Sequence, residues 1–234
     1  MANTKSSSLG PGLSTAERVA GFCYLPFYAV LLAVLLPYGA ALLGLRLTEL
    51  QLNLCFFVIN VLMVWLIFHN FLLRSLRMTR FWELIQAVIL GFALYYAGNY
   101  LLNLILHLLR IEVASYNDDT VLALATDNFW IMAFCSVILA PIVEETLVRG
   151  LVFGVIRRGS RIAAYVVTIL FFAFLHVWQY FLLYDAQSVL LAAIPYLPAG
   201  IALGWTYEKA NTIWAPICLH MIINALAFGV MQLV

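Results

Sequence analysis

Residues 129–156 read FWIMAFCSVILAPIVEETLVRGLVFGVI. A helix of about 20 residues crosses the ~30 Å hydrocarbon layer of a membrane, so this apolar run is long enough to span. It nevertheless carries Glu144, Glu145 and Arg149. A charged side chain at the centre of a bilayer costs roughly 2.5–3.5 kcal/mol on insertion scales, and such groups mark functional sites. The run therefore predicts a transmembrane helix built around a polar site.

Working outward, six further apolar runs cover residues 19–43, 52–72, 84–108, 162–184, 189–207 and 213–233. They are continuous rather than alternating, which predicts helices, since helices satisfy their own backbone groups in lipid. The expected fold is all-α: a polytopic bundle of about seven spans. Pro26 and Pro37 can kink or divide the first run, so six to eight spans are compatible with the pattern. Composition agrees. Of the 234 residues 65% are hydrophobic and 10% charged, with a mean hydropathy of +1.02, whereas soluble domains carry roughly 25% charge. A formal net charge of +1 gives no reason to expect a nucleic-acid partner.

The charges are unevenly divided. Lys5, Arg18, Arg74, Arg77, Arg80, Arg157, Arg158, Arg161 and Lys209 fall on one side of the predicted spans. The other side has Arg46 and Arg110 among the acids Glu112, Asp118, Asp119, Asp127 and Asp185. Basic loops stay in the cytoplasm, which predicts a cytoplasmic N-terminus. Residues 1–18 are expected to form a flexible cytoplasmic tail, with 19–234 as a single integral-membrane domain. The apolar run begins only after Arg18, so the first helix is expected to be retained rather than cleaved as a signal peptide. Residues 121–125 suit a short helix on the outer interface or an ordinary loop, and Asp127 or Asn128 suits the cap of the span at 129. Cys23, Cys55, Cys135 and Cys218 all lie in predicted spans and read as buried apolar thiols, not as a disulfide framework.

Three polar groups remain. On a helix Glu145 and Arg149 are neighbours four residues apart, while Glu144 is rotated by about 100°. Arg149 can then neutralise Glu145 and leave Glu144 without a cation, as suits a general base. A structural polar knot between helices is the competing reading. His176 lies deep in the fifth run, with Phe172 one turn earlier positioned to pack beside it. His220 and Asn224 share a face in the last run. Their N–H groups are donors of the kind an oxyanion hole uses, and interhelical hydrogen bonding accounts for them equally well. At 1.5 Å per residue, one cavity in the membrane interior can collect Glu144, His176 and His220; it is expected to open toward the cytoplasm. His69 and His107 lie near span ends and read as interfacial. The spacings Gly150–Gly154 and Gly200–Gly204 allow close helix contact.

Taken in order, Glu144-Glu145-x-x-x-Arg149, Phe172-x-x-x-His176 and His220-x-x-x-Asn224, with Trp214-Ala215-Pro216 before the last, resemble the motifs of the CAAX-protease and bacteriocin-processing (CPBP, or "Abi") family. That family includes the type II CAAX prenyl endopeptidases. The resemblance covers residues 128–230, the motif-bearing core. It implies an intramembrane endopeptidase acting on a membrane-associated or lipidated peptide or protein. Glu144 and His176 would activate water, His220 and Asn224 would hold the oxyanion, and Glu145 and Arg149 would position the first motif and the substrate. No His-Glu-x-x-His or Gly-x-Ser-x-Gly motif competes.

A metal-free reaction is the favoured reading, and zinc held by Glu144, His176 and His220 is the alternative, because one carboxylate and two imidazoles make a known zinc set. A non-proteolytic membrane scaffold or peptide-immunity protein using the same polar pocket is the second functional class, and a transporter or proton path the third. The small size and short connections suggest a multi-pass protein of a prokaryotic cell membrane.

Overall fold

The computed structural model describes residues 10–231, and among them every regular element is helical. In chain order they are α1 (Thr15–Leu42), α2 (Glu49–Met78), α3 (Phe81–Leu109), the short α4 (Tyr116–Asp127), α5 (Phe129–Ile156), α6 (Arg161–Leu182), α7 (Ala186–Ala210) and α8 (Trp214–Met231). All but α4 and α8 are long and apolar enough to cross a membrane, and α8 is a shorter apolar helix. Large side chains such as Leu62, Leu66, Ile89 and Leu90 are exposed along α2 and α3, as a lipid-facing surface requires. The chain is a multi-pass membrane protein built as a helical bundle.

Pro26 does not divide the first span. Its missing N–H is absorbed by a wider π turn at Phe27–Leu31, where Leu32 N–H reaches back to the carbonyl of Phe27, and the helix continues through Pro37 to Leu42. The outer connection is more ordered than expected, with α4 extending over all of Tyr116–Asp127. Asn128 caps α5, its side-chain oxygen accepting from Ile131 N–H at 3.1 Å.

Two expectations need correction. The N-terminal segment is folded well before residue 18: α1 starts at Thr15, with a capping box between Ser14 and Glu17. Upstream, Gly10 N–H donates to the Asn211 side chain at 2.5 Å. Glu17 drives this order, because its carboxylate caps the helix and also pairs with Arg74 at 2.9 Å. Residues 1–9 of the expected tail, and 232–233 at the end of the expected last span, lie outside the described residues. Cys23 is exposed rather than buried, although all four cysteines are free thiols.

α5 is the central helix. About 61% of its apolar window is buried, against 6% to 39% for the other long spans. Its second half, from Val143 to Phe153, packs with Phe68, Phe71, Tyr207, Ile213 and Ile217 into a solid core. That core fills the end of the bundle bearing the arginines. There Trp214 Nε1–H donates to the Leu72 carbonyl at 3.2 Å, and Ser75 and Thr212 hydroxyls meet at 3.0 Å. Close approach of α3 to α7 and α8 depends on Gly91: a Cβ there would overlap Thr206 Oγ1 and lie 2.8 Å from Leu219 Cδ2. Gly91→Ala is therefore expected to destabilise the bundle by about 1–3 kcal/mol through overpacking. Its melting temperature in detergent should fall, and an unchanged value would show that the contact yields freely.

The other end is hollow. A cavity of about 810 Å³ is lined by α1 from Tyr28 to Pro37, α2 from Glu49 to Phe57, α5 from Met132 to Glu144 and α8 from His220 to Phe228. α3, α6 and α7 likewise contribute only the halves nearest this end. α4 lies across the mouth. Its first residues are tied to α6 through Tyr180, whose hydroxyl meets Thr120 Oγ1 at 2.8 Å and donates to the Tyr116 carbonyl at 3.1 Å. Its last turn packs with Leu50, Met132 and Phe228. The mouth thus carries Glu49, Asn117 and Asp118, and the arginine loops are at the opposite end. A cytoplasmic N-terminus and a cavity open to the cytoplasm cannot both hold, because α1 begins at the closed end.

Candidate active site

The backbone of α5 departs from α geometry on both sides of its acids. Pro141 supplies no N–H, and the turn before it widens, so that Ala140 N–H bonds to the Cys135 carbonyl five residues back. A second wide stretch runs over Thr146–Phe153. Between them the short α segment Ala140–Glu145 carries both glutamates. Such π turns are rare and are frequent at functional sites.

Glu145 is fully buried and accepts two hydrogen bonds on one oxygen, from Arg149 Nη1 at 2.9 Å and from His220 Nδ1 at 3.0 Å. Arg149 is also fully buried. Its Nη2 donates to the Gly200 carbonyl of α7 at 3.3 Å, and its guanidinium carbon sits 4.5 Å above the Phe172 ring. The missing side chain at Gly200 matters for this contact, since a Cβ there would come within 3.2 Å of the Ile169 backbone in α6. Phe172 touches both imidazoles as well, with ring centroids 4.6 Å from His176 and 5.7 Å from His220. It joins the three motifs and is more than filler beside His176.

Glu144 points elsewhere. It lines the cavity, is 9% exposed, and its Oε2 has no hydrogen-bond partner among the described residues. The nearest imidazole is His220, with Nε2 at 4.0 Å. His176 lines the same cavity, but among the described residues it makes no contact with Glu144 within that distance. Its Nδ1–H donates to the Phe172 carbonyl at 2.8 Å, a carbonyl being an acceptor only, so Nε2 keeps a lone pair. The ring stacks on Tyr196 at 4.3 Å. Asn224 donates one Nδ2–H to the Ser136 carbonyl at 2.7 Å, which ties α8 to α5 and leaves a second N–H. His69 and His107 do not line the cavity.

Charge and geometry therefore combine two kinds of group. A buried ion pair, Glu145 with Arg149, orients His220 through one Glu145 oxygen, while Glu145 Oε2 and Arg149 Nε have no hydrogen-bond partner among the described residues. An open set, Glu144 and His176, faces the cavity with unused proton-accepting capacity. Among the described residues no three His, Cys, Asp or Glu side chains are grouped so as to hold one metal ion. Glu144, His176 and His220, the donors of a zinc reading, share a cavity without converging on a point.

Residues 126–226 match the family model described as type II CAAX prenyl endopeptidase Rce1-like. This motif-bearing segment belongs to the Rce1-like family. The match spans all three motifs, from the turn before α5 to just beyond Asn224. The Rce1-like family is a protease family, so the match over this segment supports peptidase activity at the level of the family only. No curated protein and no solved structure matches the chain.

Some of the lining was not anticipated from the sequence. Tyr196 reaches His176 because Pro195, within a tight turn at Ile194–Tyr196, and Pro198, just after it, interrupt α7. Asn53 lines the cavity from α2, with a buried side-chain oxygen that has no partner among the described residues. Both had a signal: a proline pair inside an apolar span, and a lone amide near the start of another.

Proposed function

We propose that the chain is an intramembrane endopeptidase that hydrolyses a peptide bond of a membrane-associated substrate with a water activated by Glu144. The observation carrying this reading is the division within the buried acids: one oxygen of Glu145 is held by both Arg149 and His220, whereas Glu144 lines the cavity with no cation bonded to it among the described residues.

In the proposed reaction the water lies between Glu144 and His176 Nε2. Glu144 takes one proton as the water oxygen attacks the scissile carbonyl carbon. The resulting oxyanion is held by the imidazolium Nε2–H of His220 and the free N–H of Asn224. Collapse breaks the C–N bond and the proton on Glu144 passes to the departing nitrogen; the remaining proton of the new carboxylic acid then passes to the amine, so peptide and water become carboxylate and ammonium. Glu145 holds His220 through Nδ1, as the buried aspartate of a serine-protease triad holds its histidine. With His220 as the imidazolium, it and Arg149 balance Glu144 and Glu145, and a neutral set is the cheapest to keep in a low-dielectric interior.

His176→Ala should leave an uncut membrane protein or peptide that wild-type cells process, seen by comparing membrane and released peptides from the two. Identical peptide sets from cells holding equal amounts of folded protein would overturn the reading. The reaction is proposed as metal-free. Activity of purified protein should survive chelator, and one tightly bound zinc per active chain, lost together with activity, would contradict that.

A further inference from the structure

We infer that the cavity opens to the extracytoplasmic side of the membrane, so that the bond it cuts belongs to a peptide segment already carried across the bilayer. The inference joins two independent observations. The first is the hollow end: every stretch lining the cavity belongs to the half of the bundle next to residues 43–48, α4 and the turn at 183–185. The second is charge. The connections and helix ends at that end contain Arg46 and Arg110 against Glu49, Glu112, Asp118, Asp119, Asp127 and Asp185. Among the described residues the closed end contains eight basic residues against Glu17, Glu83 and Glu208.

The rule that basic residues are retained in the cytoplasm counts lysines and arginines in short loops near span ends. Nearly all the connections here are short. An anionic inner leaflet attracts such residues by about 1 kcal/mol each, so eight against two is a strong bias. Several closed-end arginines are also held in place, with Arg157 and Arg161 both paired to Glu208 and Arg74 paired to Glu17. Reversing the bundle would carry this set across the membrane. At the mouth, Glu49 and Asp118 line the entrance.

The consequence for substrate is specific. A lipidated C-terminal tail displayed in the cytoplasm would meet the closed, arginine-bearing core and not the cavity. The accessible substrates are membrane-anchored or translocated peptides with a cleavable segment near the outer face. Their cleavage rests on the protease reading, whereas the sidedness does not.

Sidedness is tested without activity. In a background with Cys23, Cys55, Cys135 and Cys218 replaced by alanine, single thiols are introduced by Ser115→Cys at the mouth and by Gly159→Cys at the closed end. Both positions are exposed, and neither change alters a charge. A membrane-impermeant maleimide added to intact cells should label the thiol at 115, and label that at 159 only after permeabilisation. Labelling at 159 but not 115 in intact cells would overturn the inference and leave the protease reading standing. Undiminished cleavage by a folded Glu144→Gln protein, with labelling as expected, would overturn the protease reading and leave the sidedness standing. Both thiols should label fully after permeabilisation, which confirms that each variant is folded and present.

Discussion

Arg149→Met is expected to lower the unfolding free energy of the bundle by about 3–5 kcal/mol, the usual cost of stranding one partner of a buried ion pair. Arg149 has no exposed surface, and it meets Glu145, the Gly200 carbonyl and the face of Phe172 at once. Removing it leaves the Glu145 carboxylate with His220 alone in a site closed to water. Adding Glu145→Gln should recover much of the loss, because neither charge is then left buried without its counterpart. Unfolding curves in mixed micelles measure both variants. If Arg149→Met unfolds like the wild type, the pair is not the structural anchor of the site.

Much of this site was legible because membranes penalise polarity. Three charges in α5 and a histidine in each of two other spans stand out against an apolar background, and helical spacing alone separates the paired Glu145 from Glu144. The same logic placed the spans; of the two candidate caps of α5, Asp127 and Asn128, the structure uses Asn128. What it does not reveal is where helices bend and which ends stay apart. The π turns around Pro141 and the tight turn at Tyr196 depend on packing between spans, which a one-dimensional pattern does not record. Depth along a helix also leaves the direction of opening undetermined, because a residue near mid-membrane is about equally far from both faces. Closure of the arginine end follows from Phe68, Phe71, Phe153 and Tyr207 meeting there, and they come from three different helices. The order at Ser14–Arg18 has a sequence signal, since Ser14-x-x-Glu17 is a capping box, but it sits behind a run of glycines and serines that signals a tail.

Glu144→Gln is expected to have the largest effect on activity. The change keeps the shape of the side chain and removes its ability to take a proton. General-base catalysis contributes typically 10²–10⁴-fold, so cleavage should fall by about that factor. Stability should change little, because the buried Glu144 Oε2 makes no hydrogen bond among the described residues that the fold would lose. This contrast with Arg149→Met separates the working carboxylate from the anchoring pair.

The decisive measurement is cleavage of a membrane-anchored peptide by purified wild-type and Glu144→Gln protein reconstituted in vesicles, with melting temperature recorded alongside. The account predicts equal melting temperatures and a loss of turnover on the order of 10²-fold or more. Undiminished cleavage by a folded Glu144→Gln protein would contradict it.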